Sequence, residues 1–237
     1  MADRINNAIK AFANGLPVCV FDSEFREGET DLLFSGEKIT EANIRQLRKD
    51  CGGLLFLAVG SEIGEMFRLP YLQDLFDEPM LNNSYPVLKE LSTNDLQYDS
   101  KSAFTLSINH RDTYTGITDT DRCLTTKRFA ELSNELLEKN SDNKSAMSKL
   151  GSEFRTPGHI PVCLEQKGGL DTREGHTELA VALARLAGVT PVVIGAEMLQ
   201  PNGDAALSVD DAKKWAEERG ILFLTGDEIK QIFNQRR

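Results

Sequence analysis

PVCVFDSEFREGETDLLF, residues 17–34, sets an acidic run between two apolar segments. Residues 17–21 have the composition of a short buried strand, and Leu32, Leu33 and Phe34 begin the next. Between them Asp22, Glu24, Glu27, Glu29 and Asp31 crowd around Arg26, with Gly28 in their midst. Like charges pinned between two core strands raise one another's pKa unless a cation or shared protons relieve them. Oxygen-rich clusters of this kind hold magnesium, which keeps several waters and takes one or two carboxylates. A solvated acidic turn is the competing reading of the same residues.

Outward from this stretch, strand-like and helix-like segments alternate. Thr40 is placed to cap a helix that carries Ile44 and Leu47 on one face and is broken by Gly52 and Gly53. Residues 54–59 form a near-continuous apolar run, as a strand covered on both faces does. Residues 70–100, with three prolines, read as a long loop region that is functional or tied down by a partner. Further strands are expected at 103–108, 160–164, 191–196 and 221–225. Helices are expected at 125–138, 176–187, 208–218 and from 225 onward. No repeat or linker divides the chain, so residues 1–237 are expected to form a single α/β domain.

The formal net charge of −10 argues against a general nucleic-acid binder, although a basic pocket for a small anion remains compatible with it. Apolar runs fall far short of a membrane span, and the first residues lack the apolar core of a secretory signal. Cysteines 19, 51, 123 and 163 are scattered, without a CxxC pair, which suits reduced thiols and a cytoplasmic protein.

A second constellation is REGHTE at 173–178, where the amphipathic helix begins. Gly175 allows close backbone approach, the first helical amides are unsatisfied donors, and Arg173 and Thr177 add a guanidinium and a hydroxyl. That combination suits a phosphate. His176 is either a cap, a core histidine or a metal ligand. His159 follows a Pro-Gly turn at the entry to a strand, and Glu197 ends the 191–196 strand, where ligand sites of α/β folds form. Both have solvated, non-functional readings. Residues 113–122 are a hydroxyl-rich turn containing Thr115.

Taken together, these segments resemble the 3,4-dihydroxy-2-butanone 4-phosphate synthase family of riboflavin biosynthesis. The matching pieces are REGETD at 26–31, the helix, Gly-Gly and strand at 45–58, and FTLSINH at 104–110. TGITDTDR at 115–122, FRTPGHI at 154–160, REGHTE at 173–178 and AEM at 196–198 continue the series in the family's order. The wording is most similar to the archaeal single-domain form, with no cyclohydrolase domain following.

The resemblance implies a single α/β (α+β) domain with a mixed sheet and surrounding helices. It also implies a magnesium- or manganese-dependent lyase, a homodimer with active sites near the subunit interface, and no nucleic-acid or membrane partner. The implied reaction enolises D-ribulose 5-phosphate, removes water, rearranges the carbon skeleton and expels C4 as formate. Glu27 and His176 correspond to metal ligands that also meet substrate. Arg26, Asp31, Thr115, Arg173, Gly175, Thr177 and Glu197 correspond to substrate-binding positions. His159, Glu197, Glu29 and Asp31 are the candidates for proton transfer. One departure is Phe56, where family members commonly carry cysteine; Cys51 lies too far back to replace it. Phe56 motivates an alternative, a sugar-phosphate-binding subunit without turnover. Another metal-dependent isomerase or aldolase of ketose phosphates is the third reading.

Overall fold

Leu32 and Phe34 belong to one hydrophobic cluster and Leu33, between them, to another. Val192, Ile194 and Ala196 alternate with Val193 in the same way. This period of two, apolar on both faces, makes a sheet that needs a helical layer on each side. The computed structural model describes residues 2–93, 95, 96, 99 and 101–236 and shows that arrangement.

Strands β1 (Val18–Phe21), β2 (Thr30–Ser35), β3 (Phe56–Val59), β4 (Phe104–His110), β5 (Phe154–Leu164), β6 (Val192–Glu197) and β7 (Leu222–Thr225) form one sheet. Its order is β4-β5-β3-β6-β2-β1-β7. The β1–β7 and β3–β5 pairs are parallel and the remainder antiparallel, so the sheet is mixed. One face packs on helix Asp119–Glu138 through Phe129, Leu132 and Leu136, and on Val209–Glu218 through Ala212 and Ala216. The other is covered by Ala2–Ala13, His176–Ala187 and Gly226–Arg236. Asp31 shares the parity of Leu33, and Glu197 that of Val193, so both carboxylates face the helix that His176 begins. The four cysteines are buried and free. No helix among the described residues is long and apolar enough to cross a membrane.

Several expectations change. The 70–100 region is not a plain loop: it holds the short helices Leu72–Phe76, Pro79–Ser84 and Val87–Glu90, while positions 94, 97, 98 and 100 lie outside the described residues. The helix expected at 125–138 starts at Asp119, because the Thr118 side chain accepts the Asp121 N–H and caps it. A helix at Asn143–Glu153, capped by Asp142, was not expected. His159 lies inside β5, not at a strand entry, since β5 begins at Phe154. Pro157 is tolerated there because residues 156–159 fall at a bulge in the β4–β5 ladder, between the Ile108–Ile160 and Asn109–Arg155 pairs, and β3 pairs only from Val162 onward. Gly158 permits the approach: a Cβ there would collide with the Ile108 backbone.

Candidate active site

Asp22 follows β1, and its buried carboxylate accepts the backbone N–H groups of Glu27 (3.0 Å) and Glu29 (3.1 Å). These bonds fold the acidic run into a closed loop and hand Asp31 to β2. Asp31 pairs across the ladder with Glu197, which brings two carboxylates to one rung. Above them Gly175 ends the approach to helix His176–Ala187. His176 Nδ1 lies 3.5 Å from Glu27 Oε2, and its Nε2 lies 3.6 Å from Asp31 Oδ1 and 3.9 Å from Asp22 Oδ1. The Glu29 carbonyl oxygen is 3.3 Å from Nε2.

A cavity of about 270 Å³ opens here, with Glu27, Arg173, His176, Thr177 and Glu197 on its polar side. Leu54, Phe56 and Cys163 form its apolar wall. Phe56 thus sits in the site wall itself, and the thiol of Cys163 on the neighbouring strand is kept protonated, burial pushing it up to about 12.

The environment pushes the acids apart. The His176 contact draws Glu27 below the usual carboxylate range, against its burial. Burial raises Glu29 and Glu197, with neighbouring acids adding to it. Asp31 is pushed up to about 8, chiefly by burial; His176 opposes this, and Glu197, Glu27 and Glu29 add to it. Burial alone would make His176 less basic, but Asp31, Glu27 and Asp22 outweigh it and carry the imidazole to about 10. Glu27 shifted down beside Asp31, Glu29 and Glu197 shifted up is a division suited to acid–base chemistry.

The donor set fits a divalent ion. Two cis ligands at about 2.1 Å on an octahedral ion stand about 3 Å apart, and the Glu27–His176 separation is close to that. Among the described residues no three His, Cys, Asp or Glu side chains form a ready-made cage. Glu27 and His176 would supply two protein ligands to such an ion, leaving its other positions for water and substrate oxygens. Asp31, with no solvent exposure, has both carboxylate oxygens without a hydrogen-bond partner among the described residues. A buried carboxylate left in that condition is costly unless a cation, a proton or a bound hydroxyl meets it.

Arg26 and Arg173 converge on Asp99, a residue the sequence did not single out. Arg26 Nη1 and Nη2 donate to its two oxygens at 3.2 and 2.9 Å, and Arg173 Nε donates to Oδ2 at 2.8 Å. Arg173 Nη1 donates to buried Glu178 at 2.6 Å, and Glu178 also accepts the Gln166 N–H. Burial pushes Asp99 up, but the two arginines outweigh it and hold the carboxyl below its usual range.

Thr115 and His159 form a separate group. Asn109 donates from its side-chain amide to His159 Nδ1 (3.1 Å) and to the Thr115 carbonyl (3.4 Å), while its Oδ1 accepts the His159 N–H at 2.8 Å. Asp121 accepts the Thr115 and Gly116 backbone N–H groups and fixes the turn. Neither Thr115 nor His159 lines the cavity. His159 is four residues along β5 from Cys163, roughly 13 Å at the rise of an extended strand. The structure thus brings Glu27, Arg173, His176, Thr177 and Glu197 to one cavity, sets Glu29 and Asp31 against His176, Gly175 just before it and Arg26 on the Asp99 carboxylate that Arg173 shares, and keeps the other pair apart. Asn109 was legible as part of FTLSINH; nothing in the sequence pointed to Asp99, far away and within the proline-interrupted region.

Gly53 makes room for Glu197: its N–H donates to the Glu197 carbonyl at 3.0 Å, and a Cβ would lie 2.6 Å from that oxygen. Gly53→Ala is expected to displace Glu197 and cost about 2 kcal/mol of stability through overpacking. A thermal melt and turnover on the same sample check this; unchanged values in both contradict it.

A family model for 3,4-dihydroxy-2-butanone 4-phosphate synthase matches residues 6–232. The synthase of Methanosarcina mazei is 39% identical, over 98% of this chain and 91% of the relative. That of Methanothermobacter thermautotrophicus is 38% identical, over 98% and 97%. Among solved structures, the Candida albicans synthase superposes with a TM-score of 0.71 at 27% identity, covering 96% of each chain. Another synthase, solved in complex with two magnesium ions, gives 0.70 at 25% identity, covering 95% of this chain and 94% of that one. With a family model matching residues 6–232 and relatives matching over nearly its whole length, the chain belongs to the 3,4-dihydroxy-2-butanone 4-phosphate synthase family.

Proposed function

We infer that this chain converts D-ribulose 5-phosphate to L-3,4-dihydroxy-2-butanone 4-phosphate and formate, with residues 1–237 acting as one catalytic domain. The observation that carries this reading is the meeting of Glu27 and His176, beside buried Asp31 whose carboxylate accepts no hydrogen bond among the described residues, at a cavity walled by Arg173 and Thr177. Glu27 and His176 are the residues that hold magnesium, or manganese in its place; the magnesium-bound relative supports the choice. When bound, the ion polarises the substrate carbonyl and neutralises negative charge that develops on its oxygens. Holding it requires His176 to give up its proton, so protons leave as metal enters.

The remaining work falls to this chain's own groups. The amides at the start of helix His176–Ala187, the Thr177 hydroxyl and the guanidinium groups of Arg173 and Arg26 hold the phosphate and set the register of the five-carbon chain. Asp31, Glu29 and Glu197 are positioned to take and return protons at successive carbons, as a coupled group. Leu54 and Phe56 exclude water from the apolar side of the site.

His159 and Thr115 enter from a second copy. Tyr114 and Ile117, which flank the Thr115 turn, are 95% and 50% exposed, and β4 beside them is an edge strand. Exposed apolar residues around a preordered polar group mark a surface for association. In the proposed homodimer, His159 and Thr115 of the partner subunit complete each cavity. Four buried cysteines without a disulfide support a cytoplasmic site of action.

Purified protein with magnesium and ribulose 5-phosphate is expected to release formate in step with substrate loss. Consumption without formate would point to an isomerase or aldolase, and no consumption would leave only binding. Arg173→Ala is expected to raise KM about ten- to a hundredfold, as loss of a charged hydrogen bond does. Initial rates across substrate concentrations check this; an unchanged KM contradicts the phosphate assignment.

A further inference from the structure

We propose that Asp99 is an internal anion seated in the Arg26–Arg173 clamp, and that the substrate's phosphate must displace it to bind. The proposal rests on the assignment of these arginines to phosphate recognition. All three guanidinium nitrogens of Arg173 already have carboxylate partners: Nε and Nη2 meet Asp99 at 2.8 and 2.6 Å, and Nη1 meets Glu178. Arg26 grips the same Asp99 carboxylate through both of its terminal nitrogens. Glu178 has no solvent exposure and is bonded to the Gln166 N–H, so it is a fixed part of the wall. The contacts described for Asp99 are those of its side chain with the two arginines, the same groups a phosphate would take over, so it is the partner that can leave.

Charge and shape agree with this assignment. Two guanidinium groups facing Asp99 and Glu178 are already neutralised, and a phosphate dianion added to that set would meet net repulsion. With Asp99 withdrawn, the clamp regains the positive charge that a dianion needs. Asp99 and Arg173 also line both the catalytic cavity and a second one, of about 650 Å³, on the far side of Arg26. Asp99 and Arg173 stand between the two spaces, and moving Asp99 enlarges the catalytic side. Asp99 thereby sets the affinity of the site for anions: a ligand without a phosphate lacks the charge to evict it.

Calorimetric titration of the full chain with inorganic phosphate tests this, using wild type, Asp99→Asn and Arg173→Ala. Asp99→Asn removes the competing charge at constant shape and is expected to bind phosphate about tenfold more tightly, while Arg173→Ala binds it weakly or not at all. Equal or weaker binding by Asp99→Asn, with binding still lost in Arg173→Ala, overturns the displacement proposal and leaves the phosphate site standing. No phosphate binding by wild type or Asp99→Asn overturns both. In wild-type protein saturated with phosphate, amide exchange in the peptide carrying Asp99 is expected to accelerate as the carboxylate is released. Unchanged or slower exchange counts against displacement whatever the variants do.

Discussion

Glu27→Gln and His176→Ala are each expected to lower formate release by a thousandfold or more while leaving the fold intact. Glu27 presents its carboxylate at the edge of the cavity with 28% of its side chain exposed, so the amide fits without repacking. The amide lacks the charge that the proposed cation site needs. His176 is nearly buried, but its ring contacts are with carboxylates and a backbone oxygen of the acidic loop, not with the sheet core. Loss of a ligand in a two-ligand site removes the ion's charge stabilisation, about 4 kcal/mol for a thousandfold in rate. Formate release and a thermal melt on each variant separate this from unfolding. Near-wild-type turnover in both variants would show that these residues are not the ligands.

Mixing Glu27→Gln with His159→Ala protein is expected to restore activity that neither has alone. If each cavity takes His159 from the other subunit, a mixed dimer has one doubly altered site and one intact site. Subunit exchange at equal concentrations makes half the dimers mixed, so turnover should recover to about a quarter of wild type per chain. If His159 served its own chain's cavity, every site in the mixture would carry a lesion and no activity would return. The geometry motivates the first outcome: His159 is held by Asn109 along the β4–β5 ladder, away from the cavity that Phe104 and Cys163 line at the ladder's other end.

Where a segment's own periodicity carried its structure, the sequence was a sufficient guide. Residues 176–187 and 191–196 are apolar in clean helical and strand patterns, and both elements form within a residue of expectation. Helix Asn143–Glu153 escaped notice because Ala146 is its one buried residue, so it carries no apolar stripe. The first half of β5 was hidden by Pro157-Gly158, which reads as a turn unless the bulge at 156–159 in the β4–β5 ladder is known. In the site, local motifs were legible because their chemistry is local: Asp22 to Asp31 on one loop, Arg173 to Thr177 on one helix start. The partition of His159 and Thr115 from the rest, and the occupation of both arginines by Asp99, depend on contacts across the fold that spacing does not encode. Phe56 could be seen as a departure, but its place in the cavity wall beside Cys163 could not.

In the proposed site Glu27 and His176 grip one divalent ion between them. Crystals of the wild-type protein soaked in manganese, with anomalous diffraction recorded at the manganese edge, test it directly. The expected result is a peak in the gap between Glu27 Oε2 and His176 Nδ1, about 2.2 Å from each. A peak held by other side chains, with that gap empty in catalytically active crystals, would contradict the account.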